Sequence, residues 1–248
     1  MSGIIIGAMF TGFTDAILDL ERAIILHGQM AEKDVVNVMM ACIEGSNELA
    51  DEIIHFDDEI DKLDESITWM TQEIFNNFHP QGGDLRFLLA VPRVSANLEL
   101  MGDSCVEVAN YLKQLDSRRI EVLDNLNLVP QFEAVIGMTN TAVGALIDRS
   151  AKRAWRAMAI LEASKRAFDY NIKKLCTNPA AYGSHRNIVF LSLICNALHV
   201  MACNASDIAA NVVYITHGID VRYQRNKIFD QISVKKTKDT EENEVDIK

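Results

Sequence analysis

The stretch DLRFLLAVPRVSANLELMGDSCVEVANY, residues 84–111, decides the fold, because its pattern is that of one long helix. Within it Glu99, Asp103 and Glu107 lie four residues apart and therefore share one helix face. Like charges at this spacing repel by about 0.2–0.5 kcal/mol per pair. No Lys or Arg stands three or four residues from any of the three. We therefore expect a multivalent cation to neutralise them, since carboxylate oxygens suit Mg, Ca, Mn and Fe.

Helical periodicity also runs through the rest of the chain, and no segment shows sustained strict alternation of apolar and polar residues. The sequence therefore predicts an all-α fold. The predicted helices cover residues 13–43, 48–78, 84–115, 131–148, 151–177 and 184–216. Gly-, Pro- and Asn-rich breaks separate them, such as residues 45–47, 79–83 and 178–179.

The third and sixth predicted helices begin alike, which indicates an internal repeat. Gly83-Asp84-Leu85-Arg86 and Gly183-Ser184-His185-Arg186 lie 100 residues apart, as do Met101 and Met201. We predict two tandem three-helix bundles, residues 13–117 and 118–223. Residues 1–12 form an N-terminal extension in this division, and the charged tail 224–248 has no hydrophobic face and is expected to be disordered.

Composition limits the compartment and the partners. A chain of 248 residues that is 49% hydrophobic is long enough to bury a large core. Its net charge of -11 argues against a nucleic-acid partner, which requires clustered Lys and Arg. Five scattered cysteines favour reduced thiols. The start lacks the features of a signal peptide, and no uninterrupted apolar run has the length of a membrane span, so we expect a cytoplasmic protein.

A second acidic set lies on the second predicted helix. Asp57 and Asp61 share a face there, again with no basic residue three or four positions away. Consecutive helices joined by a short loop pack antiparallel, so this pair is expected to face Glu99 and Asp103. Four or five carboxylates would then converge on one cation site, with Glu107 as the fifth. The alternative is that these charges form a solvated face.

Four motifs along the chain have the order and spacing of a known family. They are Glu44-Gly45 through Asp51 leading into Asp57-Asp58-Glu59-Ile60-Asp61, Gly83-Asp84-Leu85-Arg86-Phe87, Leu98-Glu99-Leu100-Met101-Gly102-Asp103, and the segment from Val213 to Arg222. Together they resemble the PhoU phosphate-signalling regulators. The third motif is similar to that family's Leu-Glu-Arg-Ile-Gly-Asp element. The resemblance covers nearly the whole chain apart from its two ends.

The resemblance implies two three-helix bundles side by side and a multinuclear metal cluster, commonly iron or zinc, with manganese or magnesium as further options. Its ligands would be Glu99 and Asp103, with Asp57 and Asp61 as partners, whereas Glu107 stands where the family more often has Asn or Asp. It also implies a cytoplasmic negative regulator without catalytic activity, which links a phosphate ABC transporter ATPase to a sensor histidine kinase. Such a protein would be peripheral to the membrane through its partners, and we expect a homodimer.

Three departures from the family pattern concern the third helix and the second repeat. Pro92 should kink the third helix, and Leu100 replaces the usual basic residue. In the second repeat His199, Cys203 and Asp207 stand opposite the three acids of the first. We expect His199 and Cys203 to be ordinary core residues, with zinc binding by all three residues as the alternative, and a second acidic cluster is not expected.

Two further readings compete with a metal-binding regulator. Glu52-Ile53-Ile54-His55 matches the ExxH motif of di-iron carboxylate enzymes, but such sites require two copies plus two further Glu, and the chain has one. The other alternative is a metal-free helical adaptor whose acidic face binds a basic partner. A role as accessory protein of another phosphate transporter also stays open.

Overall fold

The computed structural model describes residues 12–222, which form seven α-helices and one 3-10 turn, with no strand in that range. The helices are α1 Phe13–Glu44, α2 Asn47–Asn77, α3 Gly82–Gln114, α4 Arg119–Leu126, α5 Val129–Ile147, α6 Ala151–Thr177 and α7 His185–His217, and the turn is Pro179–Tyr182. The predicted all-α fold is confirmed. Each of the six predicted helices has a counterpart whose ends lie within two residues of the prediction. Nearly all of the predicted extension and tail lie outside the described residues.

Local chemistry sets the helix ends. The side chains of Ser46, Ser150 and Ser184 each accept a hydrogen bond from the backbone N–H three residues later, which caps α2, α6 and α7. Gly45 and Gly218 follow α1 and α7 with φ of 61° and 72°, a left-handed conformation that glycine adopts at little cost. The breaks identified in the sequence therefore correspond to capping geometry.

Two features of the helices differ from the sequence expectations or extend them. The short helix α4 was not predicted, because its eight residues are too few to show a clear period. It buries Val122, Leu123 and Leu126 between the two halves of the chain. Pro92 lies inside α3 without ending it, so the helix continues from Gly82 to Gln114.

The packing groups α1–α3 in one bundle and α5–α7 in another, and α3 and α7 share the most extensive interface. These two helices run antiparallel. Arg86 near the start of α3 donates a hydrogen bond to the carbonyl of Ile215 near the end of α7, at 3.3 Å. At the other end, the rings of Tyr111 and Phe190 lie 6.0 Å apart. The core is therefore continuous across both bundles, while the domain boundaries at residues 117 and 118 stay a prediction.

Helix α7 is central to that core. It is the one described helix long and apolar enough to cross a membrane by length and composition alone. Half of its most apolar window is buried inside the protein, and it packs against α3, α5 and α6. The core helix of a soluble protein meets the same criterion, and its burial and packing make α7 a core helix of this fold.

Candidate metal-binding site

The structure brings together four of the five carboxylates selected from the sequence. Helices α2 and α3 pack antiparallel, which places Asp57 and Asp61 opposite Asp103 and Glu99. Asp61 and Asp103 are exposed, whereas Asp57 and Glu99 are half-buried. None of the four forms an ion pair with a Lys or Arg of residues 12–222. The four therefore form an acidic cluster whose charge is not compensated by ion pairs within this range.

Asp57 lies on the inner side of this cluster. Burial, together with the nearby charges of Asp61, Asp103 and Asp58, raises the pKa of Asp57 to about 6. Its Oδ1 atom is buried and has no hydrogen-bond partner among the described residues. A buried carboxylate oxygen without a partner costs free energy, so this atom is a candidate ligand atom.

The two acids on α3 show the same effect. Burial, followed by the charge of Asp103, raises the pKa of Glu99 to about 7, and three acids on α2 add to the effect. Burial and the charge of Asp61 raise the pKa of Asp103 above its ordinary value. Each of these two carboxylates therefore holds its proton more tightly, because of burial first and of its acidic neighbours second.

Glu107, the fifth predicted ligand, lies apart from these four in its electrostatics. It is exposed one helical turn beyond Asp103. Its charge contributes, after burial, to a raised pKa of Tyr111, and it is not among the causes of the raised pKa values of Asp57, Glu99 and Asp103. Its role as a ligand stays a prediction.

Gly102 allows α2 and α3 to approach closely at the cluster. A Cβ atom at this position would lie 3.2 Å from Cδ1 and 3.3 Å from Cγ2 of Ile60, and 3.5 Å from Oδ1 of Asp57. Contacts of 3.2–3.3 Å are tighter than ordinary packing allows. The absence of a side chain therefore determines the spacing of the two helices that carry the carboxylates.

Sequence reasoning missed Asp34, which approaches the cluster from α1. Its side chain is 1% exposed, and its Oδ1 atom has no hydrogen-bond partner among residues 12–222. Burial and then the charge of Asp57 raise the pKa of Asp34 to about 7, while Lys33 acts in the opposite direction. Its position was a usable signal, because it stands between Ala31 and Val38 in the apolar stripe of α1.

Sequence reasoning also missed His27, which lies two helical turns before Asp34 on the buried face of α1. Its Nδ1 atom is 3.0 Å from Oγ of Ser95 on α3, and its buried Nε2 atom has no partner in the described range. Burial lowers the pKa of His27 to about 4 against the opposing charge of Asp64. The imidazole is therefore neutral at pH 7, so it does not compensate the acids.

The donor chemistry of the cluster suits a hard cation, although the side chains are not preassembled around one. Among the described residues, no group of three His, Cys, Asp or Glu side chains is close enough to hold a metal ion as positioned. The buried, unpartnered oxygens of Asp34 and Asp57 and the uncompensated charge nevertheless fit oxygen ligation.

The second half has no acid at the two positions that correspond to Glu99 and Asp103. His199, 100 residues after Glu99, stacks on Phe168 with ring centroids 5.0 Å apart. Its Nε2 atom lies 3.9 Å from Sγ of Cys203. Where the first half has His27 and Ser95, the second has Gln131, whose Nε2 atom donates to the carbonyl of Cys195 at 2.7 Å. His199 and Cys203, a stacked ring and a neighbouring thiol, therefore stand where the first half has Glu99 and Asp103.

Comparison with known proteins identifies relatives over most of the chain. Residues 24–112 match the family model described as the PhoU domain. The chain is 23% identical over 228 residues to a phosphate-specific transport system accessory protein PhoU homolog of Pseudomonas aeruginosa, covering 85% of this chain and 88% of that protein. It is 20% identical over 218 residues to the homolog of Clostridium acetobutylicum, covering 84% and 96% of the two chains.

Solved structures show the same fold. The crystal structure of the phosphate transport system regulatory protein PhoU from Streptococcus pneumoniae aligns with a TM-score of 0.76 at 21% identity, over 85% of this chain and 99% of that one. The crystal structure of PhoU from Pseudomonas aeruginosa gives a TM-score of 0.74 at 20% identity, over 84% and 100%. The matched domain, residues 24–112, contains every residue of the acidic cluster and also Asp34.

Proposed function

We propose that this chain, a member of the PhoU family, is an accessory and regulatory protein of a phosphate transport system. The resemblance to the family, predicted from the motifs, is confirmed by the PhoU domain at residues 24–112 and by the relatives and solved structures. The observation that carries the proposal is the match to phosphate-specific transport system accessory proteins over 85% of the chain.

We further propose that the regulator binds metal through its first bundle. Asp57, Asp61, Glu99 and Asp103 would hold a cluster of iron or zinc, with manganese or magnesium as alternatives, and Glu107 is the nearest further acid on α3. The bound cations would supply the positive charge that offsets the repulsion between these carboxylates. This proposal is supported by two observations on residues 12–222: the four acids form no ion pair there, and the buried Oδ1 atom of Asp57 has no hydrogen-bond partner there.

The proposed partners are the ATPase of a phosphate ABC transporter and a sensor histidine kinase. In this proposal the protein is cytoplasmic and homodimeric, reaches the membrane through its partners and has no catalytic activity of its own. A regulator shifts the equilibrium of a kinase only by the difference between its affinities for the two kinase states. Each tenfold difference in affinity corresponds to about 1.4 kcal/mol.

A metal-free adaptor is the second candidate function, and the uneven distribution of charge along the chain supports it. Residues 12–117 contain 21 acidic and 6 basic side chains, whereas residues 118–222 contain 8 acidic and 12 basic ones, with His not counted. The first half is therefore strongly negative and the second half weakly positive. Such a surface favours docking on basic partner surfaces, and salt weakens contacts of this kind.

A deletion strain tests the regulatory function. Without the protein, genes of the phosphate-starvation response should stay expressed in phosphate-rich medium, and the wild-type gene supplied in trans should repress them again. A second copy of the gene, if the genome carries one, is deleted in the same strain. Normal repression in the deletion strain would exclude the proposed function.

Complementation of the same strain separates the two candidates. A variant in which Glu99→Ala and Asp103→Ala are combined should fail to restore repression if the protein acts through bound metal. Full repression by this variant, with metal absent from the purified protein, would favour the metal-free adaptor.

A further inference from the structure

The burial of Asp34 on α1 is not explained by the paired acidic motifs on α2 and α3. Asp34 is the one carboxylate within residues 12–222 that is almost fully buried, at 1% exposure. Neighbouring positions of the same α1 stripe are apolar, including Ala31, Val35 and Val38. Lys33 does not pair with it, because its ammonium group lies 5.2 Å from the ring centroid of Phe56. A carboxylate in such a place requires either a proton or a cation.

The hydrogen bonding argues against a proton shared between two acids. A shared proton would join Asp34 to a neighbouring carboxylate by a hydrogen bond. The Oδ1 atoms of Asp34 and Asp57 are both buried, and neither has a hydrogen-bond partner among the described residues. Two helices therefore each bring one unsatisfied carboxylate oxygen to the interior of the first bundle.

The surroundings show that these two acids act on the same region of the core. The ammonium group of Lys33 on α1 lies over the ring of Phe56 on α2, so Asp34 and Asp57, each the next residue in sequence, stand at the same level of two packed helices. On α3, a Cβ atom at Gly102 would lie 3.5 Å from Oδ1 of Asp57, so α3 also approaches closely at this level. The buried oxygens of Asp34 and Asp57 therefore lie at one level of the bundle of α1, α2 and α3.

We propose that Asp34 is a further ligand of the metal site, binding from the interior of the bundle the same divalent cation that Asp57 binds. The proposal rests on the metal-binding function proposed above and extends its ligand set beyond the paired acidic motifs of α2 and α3. All three helices of the first half then contribute oxygen ligands. Cation binding would accordingly tie α1 to the other two helices.

The second half offers a comparison within the chain. The offset of 104 residues that relates His27 to Gln131 relates Asp34 to Met138, which is buried and apolar. The neighbouring Thr139 donates its hydroxyl to the carbonyl of Val135 at 2.9 Å. No equivalent inner ligand therefore exists at this register of the second bundle.

Mn²⁺ titration of the full-length, metal-free protein tests the proposal. Electron paramagnetic resonance of free Mn²⁺ gives the number of bound ions and their affinities. Asp34→Asn keeps the size of the side chain and removes one ligand charge, and should weaken Mn²⁺ binding at least tenfold or remove one bound equivalent. Asp58→Asn, an exposed acid on α2, is the matched control and should bind within twofold of wild type.

The outcomes separate this inference from the function on which it rests. If Asp57→Asn loses Mn²⁺ and Asp34→Asn binds like wild type, Asp34 is not a ligand. If Asp57→Asn, Glu99→Gln and Asp34→Asn all bind like wild type, the metal site itself is wrong. Circular dichroism of each metal-free variant checks that it is folded.

A measurement on the wild-type protein does not depend on how any variant folds. Fe²⁺ replaces Mn²⁺, and ascorbate with hydrogen peroxide then generates hydroxyl radicals that cleave the backbone beside the bound ion. Cleavage near residue 34 of α1, in addition to α2 and α3, is expected. Cleavage restricted to α2 and α3 would overturn the proposal.

Discussion

At the scale of single residues, the acidic cluster costs folding free energy, as a functional site does and a stabilising one does not. Four carboxylates of α2 and α3 lie together without an ion pair to any described residue, and burial followed by their mutual charge raises the pKa values of Asp57, Glu99 and Asp103. Acids placed for stability usually have basic partners and lowered pKa values. The pKa values of this cluster are raised instead, which is typical of functional sites.

Bound metal should depend on the two acids of α3. We expect the double variant Glu99→Ala, Asp103→Ala to lose most of the Fe, Mn or Zn that copurifies with the wild-type protein. Elemental analysis of protein purified without chelators measures this, with Glu73→Ala on the far part of α2 as control. Unchanged metal content would refute the assignment of these ligands. Because the substitutions remove mutual repulsion, the metal-free variant should be at least as stable as the metal-free wild type.

The metal-free protein should lose stability as pH rises from 5.5 to 7.5. In the folded state the pKa of Glu99 is raised from 4.5 to about 7, and that of Asp34 from 3.8 to about 7. Stability from such groups is fully present below the unfolded pKa and is lost as pH rises through the folded one. His27 opposes this, because its pKa falls from 6.5 to about 4.

In that pH range the stability lost through the raised pKa values of Asp34 and Glu99 exceeds the stability gained through the lowered pKa of His27. Asp57, with a pKa of about 6, adds to the loss. The expected net loss is about 1–2 kcal/mol after allowance for solvent screening. Urea denaturation of the metal-free protein at pH 5.5 and 7.5 measures it. The double variant Asp34→Asn, Glu99→Gln is the control and should show a smaller loss or a gain. A wild-type protein that is more stable at pH 7.5 would contradict the expectation.

The sequence predicted all four acids of the cluster on α2 and α3, but not the buried Asp34 on α1. Asp57, Asp61, Glu99 and Asp103 follow the four-residue period of a helix face, so spacing alone identified them. Asp34 has no acidic partner at that spacing, and its importance comes from burial against α2 and α3. Burial of a polar residue depends on tertiary packing, which spacing along one helix does not report.

At the scale of helices, the spacing of α2 and α3 depends on Gly102. We expect Gly102→Val to destabilise the protein by about 1–3 kcal/mol, because the added methyl groups would overlap Ile60. Thermal denaturation measures the loss, and metal affinity should fall with it, since Asp57 and Asp103 would be moved apart.

A matched control for this prediction lies on α5. Gly137 is also helical, but a Cβ atom there would meet nothing within 4 Å. Gly137→Ala should therefore stabilise the protein by about 0.5–1 kcal/mol through helix propensity alone. Equal effects of the two substitutions would show that packing at Gly102 is unimportant.

Helix ends were predictable where capping residues mark them, as at Ser46 and Ser184. Helix α4 was not, because eight residues between two loops show little periodicity. Its apolar residues gain their significance only from the gap they fill between the two halves.

At the scale of the whole molecule, the two bundles depend on one another. Helix α3 buries Leu98, Met101, Val108 and Leu112, and its most extensive interface is with α7. A fragment of residues 12–117 would expose part of this apolar surface. We expect the fragment to bind the dye ANS and to aggregate, whereas the full chain should not. A monomeric fragment that unfolds cooperatively would show that the first bundle is independently stable.

Helix α3 packs against both halves of the molecule. One side of it carries Glu99 and Asp103, and another packs along α7, to which it is fastened near both ends by Arg86 with Ile215 and by Tyr111 with Phe190. Closely packed interfaces pass displacements on because they have few voids to absorb them. We therefore expect a displacement of α3 at the acidic cluster to move α7, and with it the second half of the protein, through direct contact.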